Sequence, residues 1–271
     1  MKSKILFNSL LGAFLLILIS FIIQGMSKSM MYYLWAIPAN FLVASILGYY
    51  ILVSNLKKFS LCISVFIIYF IIGHFNILIE AWIFNVTDRP QTTNQIISGF
   101  ITAAIFSPIY ILLYKNSRQY LFNISHVHRS VLSWLWRIIL ADIVYLFLYI
   151  LAGFTLQFVY PQLIEFYDGK LPSISIMIQT QVFVRALLFI AVAFLILRTT
   201  NTNFIKSAVL VGLIFSILGG ISPLLPPNEL MPQNIRIAHG VEVSISNFLY
   251  GIILVYILWQ KKEESKKTKM H

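Results

Sequence analysis

Eight long apolar runs constrain this chain more than any other feature of its sequence. Each run has roughly 20 mainly apolar residues, enough for a helix rising about 1.5 Å per residue to cross a hydrocarbon core of about 30 Å. Only 11% of the 271 residues are charged, whereas about a quarter are charged in a soluble domain. The sequence therefore predicts an all-α, polytopic transmembrane helix bundle.

The apolar runs also predict the domain organisation. A β-barrel is excluded because the runs are continuous rather than alternating in polarity. No connection is long enough to fold alone, so residues 1–259 are predicted to form one transmembrane domain, followed by a basic cytoplasmic tail at 260–271. The predicted spans are 5–23, 32–53, 59–84, 96–114, 131–154, 174–197, 204–221 and 235–259.

The net charge of +11 follows the loops and does not indicate a nucleic-acid partner. With a cytoplasmic N-terminus, fourteen of the twenty Lys and Arg residues fall on the inner side, and only Lys28, Arg89 and Lys170 on the outer side. This asymmetry fits the positive-inside rule and predicts that both termini are cytoplasmic. The lipid bilayer is the predicted partner. The abundance of Ile, Phe, Asn and Lys indicates the cytoplasmic membrane of a bacterium.

Cysteine and histidine usage predicts no cofactor. The single cysteine, Cys62, excludes an intrachain disulfide and any multi-cysteine metal site. His126 and His128 lie in the longest connection without further ligands nearby, so no metal site is predicted there.

Several spans contain polar residues that lipid would not tolerate. An ionisable side chain in a span costs about 2.5 to 3.5 kcal/mol on insertion, so each one is expected to face protein or water. Asn76 and Glu80 are four residues apart and share a helix face, as do Gln181 and Arg185. Asp142 adds a carboxylate to the fifth span.

The eighth span is the most polar, and Asn234 is predicted to cap its start. At about 100° per residue, six of its polar side chains fall within an arc of roughly 140°: Arg236, His239, Glu242, Ser246, Asn247 and Tyr250. Polar groups from four helices are therefore predicted to converge on a pocket that opens outward. The predicted substrate-binding and proton-binding residues are Glu80, Asn76, Arg185, Arg236, His239, Glu242, Asn247 and Asp142.

These residue types favour a transporter or permease for a small polar or anionic solute. Arg185 and Arg236 would attract an anion, while Glu80, Glu242 and His239 would exchange protons, because buried carboxylates and histidines titrate near neutrality.

Three other interpretations stay open at the level of sequence. A membrane-embedded, metal-dependent enzyme would use His239 and Glu242 with Glu80 or His74, although no HExxH or GxSxG motif is present. In a variant of this interpretation, His74 and His239 would be the axial ligands of a haem. A non-catalytic assembly factor or complex subunit would present the polar face to another protein, with the oligomeric state undetermined. In a structural interpretation, Glu80 or Glu242 neutralises an arginine and the cluster only fixes helix packing.

Overall fold

The computed structural model describes residues 2–25, 28–83, 88–114, 124–126, 129–169, 171–228, 231–260 and 262–264. Its helices are α1 (Lys2–Gln24), α2 (Met30–Val53), α3 (Lys58–Ile83), α4 (Arg89–Leu112), α5 (Val131–Val159), α6 (Gln162–Tyr167), α7 (Ile174–Thr199), α8 (Phe204–Leu224) and α9 (Gln233–Leu258). All except the short α6 are long and apolar enough to cross a membrane, so the eight predicted spans are confirmed. They are the spans of an integral, multi-pass membrane protein.

Two short strands also occur in the described part of the chain. β1 (Ile124–His126) pairs with β2 (Lys262–Glu264) in antiparallel register, with Ile124 opposite Glu264. The backbone of the predicted tail thus pairs with the connection between α4 and α5.

Side-chain caps decide where several helices begin. Ser29, Asp88, Ser130, Ser173 and Asn203 each accept a hydrogen bond from a backbone N–H in the first turn of the helix that follows. Such caps satisfy amide donors that the helix itself leaves unpaired. The cap at Asp88 explains why α4 starts at Arg89, seven residues before the predicted span.

The predicted cap of α9 is wrong. The helix begins at Gln233, and Pro232 rather than Asn234 occupies the N-cap position, without a side-chain hydrogen bond. Proline is tolerated here because its fixed φ suits the start of a helix and it has no N–H to leave unpaired.

Close contact between glycines brings α8 and α9 together. A Cβ added to Gly251 would lie 2.7 Å from Cα of Gly212, so neither position accommodates a side chain without separating the helices. Small residues at such crossings are typical of membrane bundles, where close backbone approach provides the packing. α8 is the most enclosed span, with 67% of its apolar window buried, and α5 is the most peripheral, with 11%.

Three of the spans contain a π-helical turn. These turns are Ile71–Phe75 in α3, Gln181–Ala186 in α7 and Ile217–Ile221 in α8. The π-turns of α3 and α8 contact each other, while α5 packs on the π-turn of α7 and α9 on that of α8. π-Turns are rare and often occur at functional sites. The π-turns of α3 and α8 thus lie side by side inside the bundle.

The connections fall into two groups at opposite ends of the bundle. At one end, Asn55 N–H donates to the Thr199 carbonyl at 2.8 Å and Asn201 N–H donates to the Val53 carbonyl at 3.0 Å. We call this the inner end and the opposite end the outer end, following the orientation that the charge distribution predicts.

Candidate functional site

A buried arginine joins α3 to α7. Arg185 donates from Nη1 to Oε2 of Glu80 at 2.5 Å and from Nε to Oδ1 of Asn76 at 2.9 Å. Nη1 also donates to Oε1 of Gln181, one turn earlier in α7, at 3.1 Å. The two face-sharing pairs predicted from spacing, Asn76 with Glu80 and Gln181 with Arg185, therefore meet each other.

Two tyrosines of α5 complete this network. Tyr149 donates its hydroxyl hydrogen to Oε1 of Glu80 at 3.2 Å, and Tyr145 donates to Oε1 of Gln181 at 3.2 Å. Neither tyrosine was predicted as a site residue, because the polar groups considered in this span were its charged residues Arg137 and Asp142. The spacing of the two tyrosines, three and seven residues from Asp142, puts all three on one face of α5, which was the available signal.

A second carboxylate lies on α9. Glu242 Oε2 is 3.2 Å from Nδ1 of His239, although that nitrogen forms no hydrogen bond with the described residues. Ser246 donates to Oε1 of Glu242 at 3.3 Å. Unlike Glu80, Glu242 forms no ion pair with a lysine or arginine in the described part of the chain.

Asn247, also on α9, has a structural role. Its Nδ2 donates to the carbonyl of Gly219 at 3.3 Å and to that of Phe215 at 3.5 Å. The residue four positions after Gly219 is Pro223, which has no N–H to donate to that carbonyl. Asn247 thus satisfies a backbone acceptor in the π-turn of α8 and fixes the position of α9 beside it.

These groups surround a cavity of about 520 Å³, which we call the central cavity. Its acidic and basic lining residues are Glu80, Arg185, His239 and Glu242. Most of the remaining wall is apolar and comes from α5 and from the outer part of α7. Its size and its few convergent polar groups are those of a small-molecule site.

A second cavity, of about 760 Å³, lies nearer the outer end, and we call it the outer cavity. Glu80, Tyr167 and His239 line both cavities and so form the wall between them. Burial, reinforced by the charges of Glu80 and Glu242, raises the pKa of the Tyr167 phenol above its usual range. Tyr167 therefore stays protonated and remains a hydrogen-bond donor at this wall.

Three predicted site residues do not line the cavities. One of them, Asn76, contacts a residue that does, Arg185. Arg236 is buried near the start of α9, and its Nε has no hydrogen-bond partner among the described residues. Asp142 lies on α5 towards the inner end, with Oδ1 buried and equally unpartnered in the described part of the chain. Neither side chain lines the central or the outer cavity. Their assignment to the binding site stays a prediction.

The histidines and acidic residues that the structure describes are spread over several helices. Among the described residues, no three His, Cys, Asp or Glu side chains lie close enough together to hold an ion. His74 packs its ring against Tyr69, with 5.0 Å between centroids, and under Gly99, where an added Cβ would be 2.6 Å from Cγ of His74. It lines the outer cavity only. The side chains of His126 and His128 lie outside the described residues.

No family model matches this sequence, and no curated protein or solved structure is significantly similar to it.

Proposed function

We propose that this protein is a membrane carrier that binds the polar part of a solute in the central cavity and exchanges protons through Glu242 and His239. The observation that supports this proposal most strongly is the difference between the two carboxylates. Glu80 is held in an ion pair with Arg185, whereas Glu242 faces the same cavity without a cationic partner among the described lysines and arginines. A purely structural cluster would not need the second carboxylate.

The ion pair between Arg185 and Glu80 indicates which kind of solute the central cavity can bind. Because Glu80 already neutralises Arg185 at 2.5 Å, a simple anion would have to displace a buried carboxylate from its partner. Nη2 of Arg185 makes no hydrogen bond with the described residues, so the guanidinium retains a donor for an uncharged or zwitterionic group. An uncharged or zwitterionic solute therefore fits the end of the central cavity formed by Arg185 and Glu80 better than an anion does.

Proton coupling follows from the chemistry of the wall between the cavities. Histidine changes charge near physiological pH, and its contact with a carboxylate ties the protonation of the two groups together. His239 belongs to that wall and lies beside Glu242. A proton arriving from the outer cavity would therefore change the charge of the central cavity.

Transport in reconstituted vesicles tests this proposal. We expect a pH gradient to drive the uptake of at least one compound from a panel of amines, amino alcohols and zwitterions. Glu242→Gln should abolish the response to the gradient because the amide cannot take up a proton. Glu165→Gln is the matched control, since Glu165 is exposed on α6 and lines neither cavity.

Two outcomes would contradict the proposal. In the first, Glu242→Gln moves the same compounds under the same gradient as the unmodified protein. In the second, no compound is transported, and Glu242→Gln lowers the stability of the protein as much as Glu80→Gln, which removes the ion-pair partner of Arg185. The second outcome would leave the cluster as a packing device.

A further inference from the structure

The central cavity also reaches the lipid-facing surface of the bundle. Five of its lining residues are also exposed on the outside of the bundle: Ile150, Phe154, Leu171, Ile174 and Ile178. Phe154 is 68% exposed and Ile174 is 76% exposed. Four of the five belong to the spans α5 and α7, and Leu171 lies just before α7. The exposed apolar surface of a span faces acyl chains in a bilayer. A hydrocarbon chain therefore has a route from the bilayer into the cavity.

The packing of α5 and α7 explains this opening. The two helices contact each other mainly at the π-turn of α7, Gln181–Ala186. The cavity lies on the outer side of that contact, and Gly153 of α5 contributes no side chain to its wall. A Cβ added at Gly153 would have no atom within 4 Å. At Gly153 the wall is thus not closed by interdigitating side chains.

The charged residues that line the central cavity favour a positively charged head group. The cavity's acidic and basic side chains are two carboxylates, one guanidinium and one histidine. With the histidine neutral, the negative charges exceed the positive ones, and Glu242 is the carboxylate that has no lysine or arginine partner among the described residues. A primary ammonium group would balance this charge and donate hydrogen bonds to Glu242, while Arg185 Nη2 remains free to bind an adjacent phosphate or hydroxyl oxygen.

We propose that the solute of the central cavity is a membrane amphiphile with a primary ammonium head group, whose hydrocarbon chain leaves the cavity between α5 and α7. This inference rests on the proposed carrier function and names its substrate class. The head group binds between Glu242 and Arg185, and the chain lies along Phe154 and Ile174. A lipid with an aminoalkyl phosphate head satisfies every part of this description.

Electron paramagnetic resonance of spin-labelled lipids tests the inference. The protein is placed in nanodiscs of phosphatidylglycerol, and the probe is phosphatidylethanolamine with a nitroxide near the end of one chain. We expect a motionally restricted component that unlabelled phosphatidylethanolamine displaces about tenfold more effectively than unlabelled phosphatidylglycerol, a difference of roughly 1.4 kcal/mol. Glu242→Gln should remove this head-group preference.

A bulky substitution tests the route of the chain. Gly153→Phe fills the open space in the cavity wall and should reduce the restricted component to the level given by spin-labelled phosphatidylglycerol. It should not unfold the protein, since glycine is a poor helix former and nothing lies in the way. Thr155→Phe is the matched control, because Thr155 is exposed on the same helix and does not line the cavity.

The outcomes separate this inference from the proposed function. The assignment of an amphiphilic substrate would be overturned if both labelled lipids gave equal motionally restricted components. An unchanged restricted component in Gly153→Phe would overturn it as well. If water-soluble ethanolamine or glycerophosphoethanolamine is then still carried in a proton-dependent way, the carrier function stands alone. If Glu242→Gln changes neither the proton-dependent transport of soluble compounds nor the head-group preference for lipids, both proposals fail.

Discussion

At the scale of single residues, Arg185 organises the site. Its planar guanidinium donates in different directions to Glu80, Asn76 and Gln181, which the ammonium of a lysine could not reproduce with the same fixed geometry. The sequence predicted that Arg185 needs a partner in the membrane. It did not determine whether Glu80 or Glu242 is that partner, because spacing along one helix does not fix which helices are neighbours.

Removing the charge of Glu80 should destabilise the protein strongly. Glu80→Gln leaves the guanidinium of Arg185 buried without its carboxylate, which costs about 3 to 5 kcal/mol when a buried pair is broken. The double variant Glu80→Gln/Arg185→Met should recover much of this loss, because no uncompensated charge remains. Thermal unfolding in detergent measures each value, with the exposed Glu165→Gln as the control. Equal stability of Glu80→Gln and the unmodified protein would rule out the ion pair.

At the scale of elements, the helices were easier to predict than the details of their ends. Hydropathy placed all eight spans, since lipid requires continuous apolar helices. The end of α5 at Val159 rather than residue 154 was missed because Thr155 and Gln157 interrupt the apolar run. The three π-turns were not predicted, because no residue pattern marks them. Only the π-turn of α8 has a sequence feature beside it, Pro223, which cannot donate a backbone hydrogen bond.

The link between Pro223 and Asn247 gives a prediction for α8. Asn247→Ala leaves the Gly219 carbonyl without its side-chain donor and should cost about 1 to 3 kcal/mol, the penalty for an unsatisfied buried acceptor. In a Pro223→Ala background the restored N–H can donate to that carbonyl, so the same substitution should cost less.

A double-mutant cycle on the free energy of unfolding measures this coupling. Pro38→Ala is the control background, since Pro38 also lies inside a helix but in α2. An equal cost of Asn247→Ala in all three backgrounds would contradict the proposed role of Asn247.

At the scale of the whole molecule, convergence of polar groups on one cavity is the main result. The sequence predicted the convergence from helix faces, and Glu80, Arg185, His239, Glu242 and Asn247 do line one cavity. It could not predict the opening between α5 and α7, because a gap between helices leaves no pattern in the sequence. The predicted orientation of the bundle in the membrane still follows from the charge distribution alone.

Chemical accessibility of α9 tests most directly whether this cavity is open. In a Cys62→Ser background, Ser246→Cys puts a thiol on the cavity wall, while Ser244→Cys puts one at the contact with Gly220 of α8. We expect a membrane-impermeant thiol reagent added to the outer side of intact cells to label the first variant and not the second. If both thiols stay unreactive, or if only the second reacts, the polar groups do not share an outward-open cavity.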